Sequence, residues 1–157
     1  MNKLVLISGS SRGLGAAMAK SFSEAGYKVA INYFNSEKEA KNLCEKLPSQ
    51  SHIFKCDVSS KDDVDAMLEN IKEEFGHHPS ILVNNAMTSY IFNGDDRKNA
   101  VSITWDEIQD HLNVTLKGSL NLIQGLISDM KSESFGRIIN IGTNLVQNPV
   151  VPYHDYK

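Results

Sequence analysis

Short apolar runs alternate along this chain with longer stretches in which apolar residues recur every three or four positions. Leu4-Val5-Leu6-Ile7 and Ile81-Leu82-Val83 carry no polar residue at alternate positions, as expected of parallel strands covered on both faces. Ala16, Ala17, Met18, Ala19, Phe22 and Ala25 suit a helix packed closely on the first strand, and Val64, Met67, Leu68, Ile71 and Phe75 fall at helical spacing further on. Strands are predicted over 4–7, 28–32, 52–56, 81–84 and 138–141. The helices predicted between them run from about Gly13 to Ala25, from Ser36 to before Pro48, from Ser59 or Ser60 to Gly76, and from Thr104 to about Met130. Gly26 is a good left-handed stop for the first of these. Ser36-Glu37-Lys38-Glu39 and Thr104-Trp105-Asp106-Glu107 read as capping boxes. Thr88 to Ser102 is polar and reads as an exposed loop. Alternating strands and helices predict an α/β fold, a doubly wound parallel sheet with helices on both faces.

Composition narrows the classes. At 157 residues, 41% apolar and 22% charged, the chain fits one domain spanning 1–157 whose core needs no staples. A net charge of -3 without a basic block argues against a nucleic-acid surface. No apolar run is long enough to span a bilayer, and Met1-Asn2-Lys3-Leu4 leads straight into a strand without a signal-peptide core, so the expected location is the cytoplasm. Cys44 and Cys56 lack metal-like spacing and read as reduced, partly buried thiols; the histidines are scattered, and no metal site is expected.

In such a sheet, ligands bind beyond the carboxyl ends of the strands. After the first strand comes Ser8-Gly9-Ser10-Ser11-Arg12-Gly13-Leu14-Gly15, three glycines spaced G-x-x-x-G-x-G, unlike the usual G-x-G-x-x-G dinucleotide fingerprint. Glycines there allow close backbone approach, and the free N–H groups at the helix start favour a pyrophosphate; the alternative is a tight turn with no ligand. After the second strand, Asn32-Tyr33-Phe34-Asn35 offers no carboxylate to hold a ribose 2′-hydroxyl, whereas Arg12 could pair with a 2′-phosphate, favouring NADP over NAD unless Arg12 is only a solvated side chain. After the third, the Asp57 carboxylate before Val58 could accept from an adenine amino group or cap the next helix. The fourth strand is followed by Asn85-Ala86-Met87 after Asn84, and the fifth by Gly142-Thr143-Asn144.

Taken in order, the Gly9-to-Gly15 loop, Asp57-Val58, Asn84-Asn85-Ala86 and Gly136-Arg137-Ile138-Ile139-Asn140-Ile141-Gly142-Thr143 resemble the short-chain dehydrogenase/reductase family, and within it the 3-oxoacyl-acyl-carrier-protein reductase branch. The resemblance implies a Rossmann-like fold and an NADP-dependent reduction of a carbonyl to an alcohol, on a small-molecule or acyl-thioester substrate. It places Gly9, Ser11, Arg12, Gly13, Leu14, Gly15, Tyr33, Phe34, Asp57, Val58, Asn84, Asn85, Ala86 and Met87 against the cofactor. It also implies a serine, a tyrosine and a lysine four residues beyond the tyrosine as the catalytic set. A free phenol, with a pKa of about 10, is a poor proton donor and acceptor at neutral pH without a neighbouring cation. Thr143 falls at the serine position and Tyr156 at the tyrosine position by separation. Tyr153 and Lys157 also spell Tyr-x-x-x-Lys.

The chain departs from the family at three places. Thr115 stands where an asparagine precedes Gly118 by three residues, and Asn113 is two residues away, about 200° around an α-helix. Met87 replaces a glycine, and its flexible thioether is the least demanding intruder on a cofactor pocket. Lys157 is one residue beyond Tyr156, so the expected lysine is missing, and strand five would be left as an apolar edge. These features suggest a truncated product or a fragment of a longer enzyme. Two readings follow, an NADP-dependent ketoreductase and a non-catalytic dinucleotide-binding module; the family resemblance also implies a homo-oligomer formed through the long helix, whose apolar positions would equally suit packing on its own sheet.

Overall fold

The computed structural model describes residues 3–88 and 101–143. Five parallel strands, β1 (Leu4–Ile7), β2 (Lys28–Tyr33), β3 (Ser51–Lys55), β4 (Ile81–Asn84) and β5 (Arg137–Asn140), form one sheet in the order β3-β2-β1-β4-β5. The chain first winds outward from β1 to β3 and then crosses back to β4 on the other side of β1. The topological switch therefore lies between β1 and β4, the place in such a sheet where ligands bind beyond the strand ends. Register places Val5 beside Val29 and Ile81, and Ile7 beside Ile31 and Val83.

Both faces of β1 are buried, for the reason its unbroken apolar run suggested. Leu4 and Leu6 join Leu82, Val64, Ile71, Leu122 and Leu126 on one side. Val5 and Ile7 join Val29, Ile31, Val83, Ala19 and Leu43 on the other. Helices α1 (Gly13–Glu24) and α2 (Glu37–Cys44) supply the second layer, and α3 (Lys61–Phe75) with α5 (Gly118–Ser132) the first. The doubly wound α/β architecture is thus the observed one.

Helix ends follow local chemistry with one correction. Ser60 caps α3 by accepting from the Asp63 N–H, and Gly76 closes it with φ +82°. The box predicted at Thr104 forms fully at the start of α4 (Trp105–Leu112), with Thr104 and Glu107 satisfying each other's backbone N–H. The box predicted at Ser36 does not form: its backbone, at φ -99° and ψ 59°, leaves the extended conformation that aims a cap hydroxyl at the backbone N–H three residues on, and the side chain makes no cap bond. The long helix also has a break. Between α4 and α5, Asn113–Lys117 forms a π-helical turn.

β5 lies at the sheet edge with Ile138, Ile139 and Ile141 each more than a third exposed, as expected from the sequence. Cys56 is buried beside β3, and desolvation, with Asp63 and Asp57 nearby, pushes its thiol up to about 12, so it stays neutral through the physiological range. Among the described residues, no helix is long and apolar enough to cross a membrane, and no group of three His, Cys, Asp or Glu side chains could hold a metal ion.

Candidate functional site

The site is built where the loops after β1 and β4 meet. Ser8, the first polar residue beyond the apolar run of β1, is buried, and its hydroxyl accepts from the backbone N–H groups of Asn85 and Ala86, both at 2.9 Å. Asn85 answers through its side-chain amide, which donates to the carbonyls of Ser8 at 2.9 Å and Gly9 at 3.1 Å. The two loops are stitched together by four hydrogen bonds on neighbouring atoms, and the glycine loop is held against Ala86.

The second anchor is Asn32, also buried at the end of β2. Its carbonyl oxygen accepts from the Gly9 N–H at 3.0 Å, and its amide donates to the Cys56 carbonyl at 3.2 Å and, more weakly, the Phe54 carbonyl at 3.4 Å. One side chain thereby connects the glycine loop to β3. Ser8 and Asn32 were not singled out from sequence as site residues. The available signal was a polar residue closing an apolar strand that must be buried on both faces, where it needs partners.

Glycine is required at two of the three loop positions for different reasons. Gly9 has φ +61°, and a Cβ there would stand 3.0 Å from the Ala86 Cα. At Gly15 a Cβ would meet the Gly9 carbonyl at 2.6 Å, the Asn85 amide nitrogen at 2.7 Å and the Ser10 Cα at 2.8 Å. That closeness lets the first turn of α1 sit directly on the loop. Arg12 precedes the helix in extended backbone, no side chain caps α1, and no acidic residue lies in its first turn. An uncapped helix start beside a glycine loop leaves N–H groups and the positive end of the dipole for an anion. Leu14 projects from this turn, 58% exposed. The cradle therefore fits the pyrophosphate of a dinucleotide.

The other predicted residues surround this cradle. Asp57 does not cap α3; one of its carboxylate oxygens accepts from the Ser59 N–H at 2.9 Å and hydroxyl at 2.7 Å, making the turn that leads to Ser60. Val58 is buried, with Gly118 packed so closely that a Cβ there would reach its Cγ2 at 2.7 Å, and Asn121 donates to its carbonyl at 3.0 Å. Tyr33 is buried below the exposed Phe34; desolvation first, and Glu37 second, raise its phenol. Asn84 donates to the Asn140 side chain at 2.8 Å across β4 and β5, while its own carbonyl oxygen is buried without a partner among the described residues. Ser11 and Gly13 lie in the loop itself, and Met87 is half exposed where that side chain was expected to narrow a pocket. Thr143 follows β5, half buried. Tyr153, Tyr156 and Lys157 lie outside the described residues, as does most of the loop predicted after Thr88.

A profile of the short chain dehydrogenases matches residues 3–157. The chain belongs to that family. Among curated relatives, this short-chain dehydrogenase sequence is 33% identical over 158 residues to a 3-oxoacyl-acyl-carrier-protein reductase of Staphylococcus aureus, covering 95% of this chain and 60% of the relative. It is 32% identical to the reductase of that name in Staphylococcus epidermidis, over 90% of this chain and 56% of the relative. An acetoacetyl-CoA reductase of Paracoccus denitrificans is 31% identical over 91% of this chain and 55% of its own length. The chain thus spans between half and two thirds of the length of these relatives.

Proposed function

We propose that this short-chain dehydrogenase chain binds NADP and takes part in reducing a carbonyl to an alcohol, on an acyl thioester or a similar small molecule. The observation that carries the reading is the contact of Gly15 with the Gly9 carbonyl and Asn85, which brings the uncapped start of α1, with its free N–H groups, onto the glycine loop. In this reading the N–H groups around Ser11, Gly13 and Leu14 hold the pyrophosphate and Arg12 pairs with a 2′-phosphate. Asp57 still has a carboxylate oxygen to accept from an adenine amino group, beside Val58. Tyr33 and Phe34 flank the adenosine, while Asn84, Asn85, Ala86 and Met87 line its path toward the reacting end. Bound NADPH supplies the hydride. The Thr143 hydroxyl donates to the substrate carbonyl oxygen, and Tyr156 holds the proton delivered there. The names of the relatives, a 3-oxoacyl thioester reductase and an acetoacetyl-CoA reductase, support an acyl thioester as the substrate class.

Titrating NADPH and NADH into the chain, followed by absorbance with acetoacetyl-CoA as substrate, tests this. NADPH is expected to bind more tightly than NADH, and Arg12→Ala to weaken NADPH about 10-fold or more while leaving NADH nearly unchanged, the effect of one charge-assisted pairing. Equal affinities unaffected by the substitution would remove the NADP assignment. Binding without turnover would reduce the function to that of a dinucleotide-binding module.

A second copy of the chain is the partner we propose for the long helix. Leu116 in the π-helical turn and Leu120 in α5 lie four residues apart, 65% and 52% exposed, with Leu112 four residues before them at the end of α4. Sedimentation velocity is expected to show a dimer or larger species that Leu116→Glu dissociates. A monomer at all concentrations would contradict it.

A further inference from the structure

The π-helical turn between α4 and α5 places a histidine beside the loop that follows β4. Thr88, two residues beyond Ala86, has its hydroxyl 2.7 Å from His111 Nδ1. His111 is also the start of a chain of side chain to backbone bonds through the π-helical turn. The Thr115 hydroxyl donates to the His111 carbonyl at 2.6 Å, and the Ser119 hydroxyl donates to the Thr115 carbonyl at 2.6 Å. Bonds of this kind back to the preceding turn bend and loosen a helix, consistent with the wider turn found here. They also commit the Thr115 hydroxyl within its own helix. His111, in the last turn of α4, reaches the β4 loop, with the Thr88 hydroxyl 2.7 Å from its Nδ1 and 3.2 Å from its Nε2.

We propose that His111 is a positioning residue: through Thr88 it clamps the segment after β4 to the last turn of α4, just before the π-helical turn, and so sets the geometry for turnover rather than the affinity for the dinucleotide. The clamp follows directly on the segment that Ser8 already ties to the glycine loop, so the cofactor side is held by other bonds and the clamp bears on Met87 and Thr88. The inference rests on the carbonyl-reductase reading for its effect on turnover, but the clamp has its own readout.

The test compares the unsubstituted chain with His111→Phe, Thr88→Val, the double variant and His111→Asn, whose amide can stand where Nδ1 does. Amide hydrogen exchange over 86–88 and 111–118 is expected to quicken several-fold in each of the first two, with no further increase in the double variant. Turnover of acetoacetyl-CoA is expected to fall about 10-fold in kcat with NADPH affinity within about twofold, and His111→Asn to recover most of both losses; a single interior hydrogen bond supports changes of this size. Additive effects in the double variant, exchange unchanged by His111→Phe, or NADPH affinity falling in step with kcat would each overturn the proposal. If the unsubstituted chain binds NADPH but does not turn over, the reductase reading fails, and the exchange measurements still decide whether the clamp exists.

Discussion

Replacing Gly15 with alanine is expected to abolish measurable NADPH binding and to lower the midpoint of urea unfolding. The added Cβ would stand 2.6 Å from the Gly9 carbonyl oxygen and 2.8 Å from the Ser10 Cα. Both are backbone atoms, and the loop that carries them is tied down by the Gly9 N–H on Asn32 and the Ser10 N–H on the Asn32 carbonyl. The third neighbour, the Asn85 amide nitrogen at 2.7 Å, can swing away only by abandoning the carbonyls of Ser8 and Gly9. Overpacking of this kind costs about 1–3 kcal/mol, and here the relief it forces lifts α1 away from the loop. Gly13→Ala is the control, because a Cβ at Gly13 meets nothing within 4 Å although its φ is +55°. It should lose stability only through backbone strain, about 1 kcal/mol, and keep a measurable part of its NADPH affinity. A Gly15→Ala protein with unchanged unfolding midpoint and affinity would refute the assigned cradle.

The second large effect is expected from Asn32→Leu. The side chain is buried, and its loss leaves the Gly9 N–H without its acceptor and the Cys56 and Phe54 carbonyls without their shared donor. At about 1–3 kcal/mol for each buried polar group left unpaired, loss of the two stronger bonds, to Gly9 and Cys56, should cost roughly 2–6 kcal/mol in urea unfolding. NADPH affinity should fall as well, because Gly9 no longer has a fixed position. Asn32→Asp should be no better at neutral pH. Its carboxylate can accept from Gly9 but sets negative charge against the Cys56 and Phe54 carbonyls. An Asn32→Leu chain as stable as the original would show that the side chain is not the connection between the glycine loop and β3 described above.

Strand positions could be read to within a residue most directly at the centre of the sheet, where β1 and β4 are buried along their whole length: Leu4 to Ile7 and Ile81 to Val83 have nowhere polar to point. The α3 boundaries were equally legible, since Ser60 and Gly76 carry their capping chemistry in their own side chain and backbone. Ser36 misled for the complementary reason. The residue types of a capping box were present, but the turn after β2 gives Ser36 a backbone conformation in which the box cannot close. The π-helical turn was not legible either. Nothing in Asn113 to Lys117 forbids an α-helix, and the wider turn accompanies the bonds that His111, Thr115 and Ser119 make once packed.

At the site, the glycine loop could be read as a phosphate cradle because left-handed φ and close approach are demands that only glycine meets. Asp57 was open between two roles, and its bonds to Ser59 show that it shapes the turn while Ser60 caps the helix. The residues that hold the loops together, Ser8 and Asn32, gave only the faint signal of polarity at a strand end. Their meaning comes from what lies opposite, Asn85 and Ala86 in one case and Gly9 and Cys56 in the other, across 23 to 78 positions of chain.

By itself the sequence determined the alternation of strands and helices, the burial of β1 on both faces and the tight glycine turn after it, since these depend on periodicity and on the conformational range of single residues. Only the tertiary structure decided which polar groups meet: Ser8 with the β4 loop, Asn32 between the glycine loop and β3, and Thr88 with His111. Hydrogen bonds between distant segments depend on where the packed sheet brings their atoms, and no local pattern along the chain encodes that position.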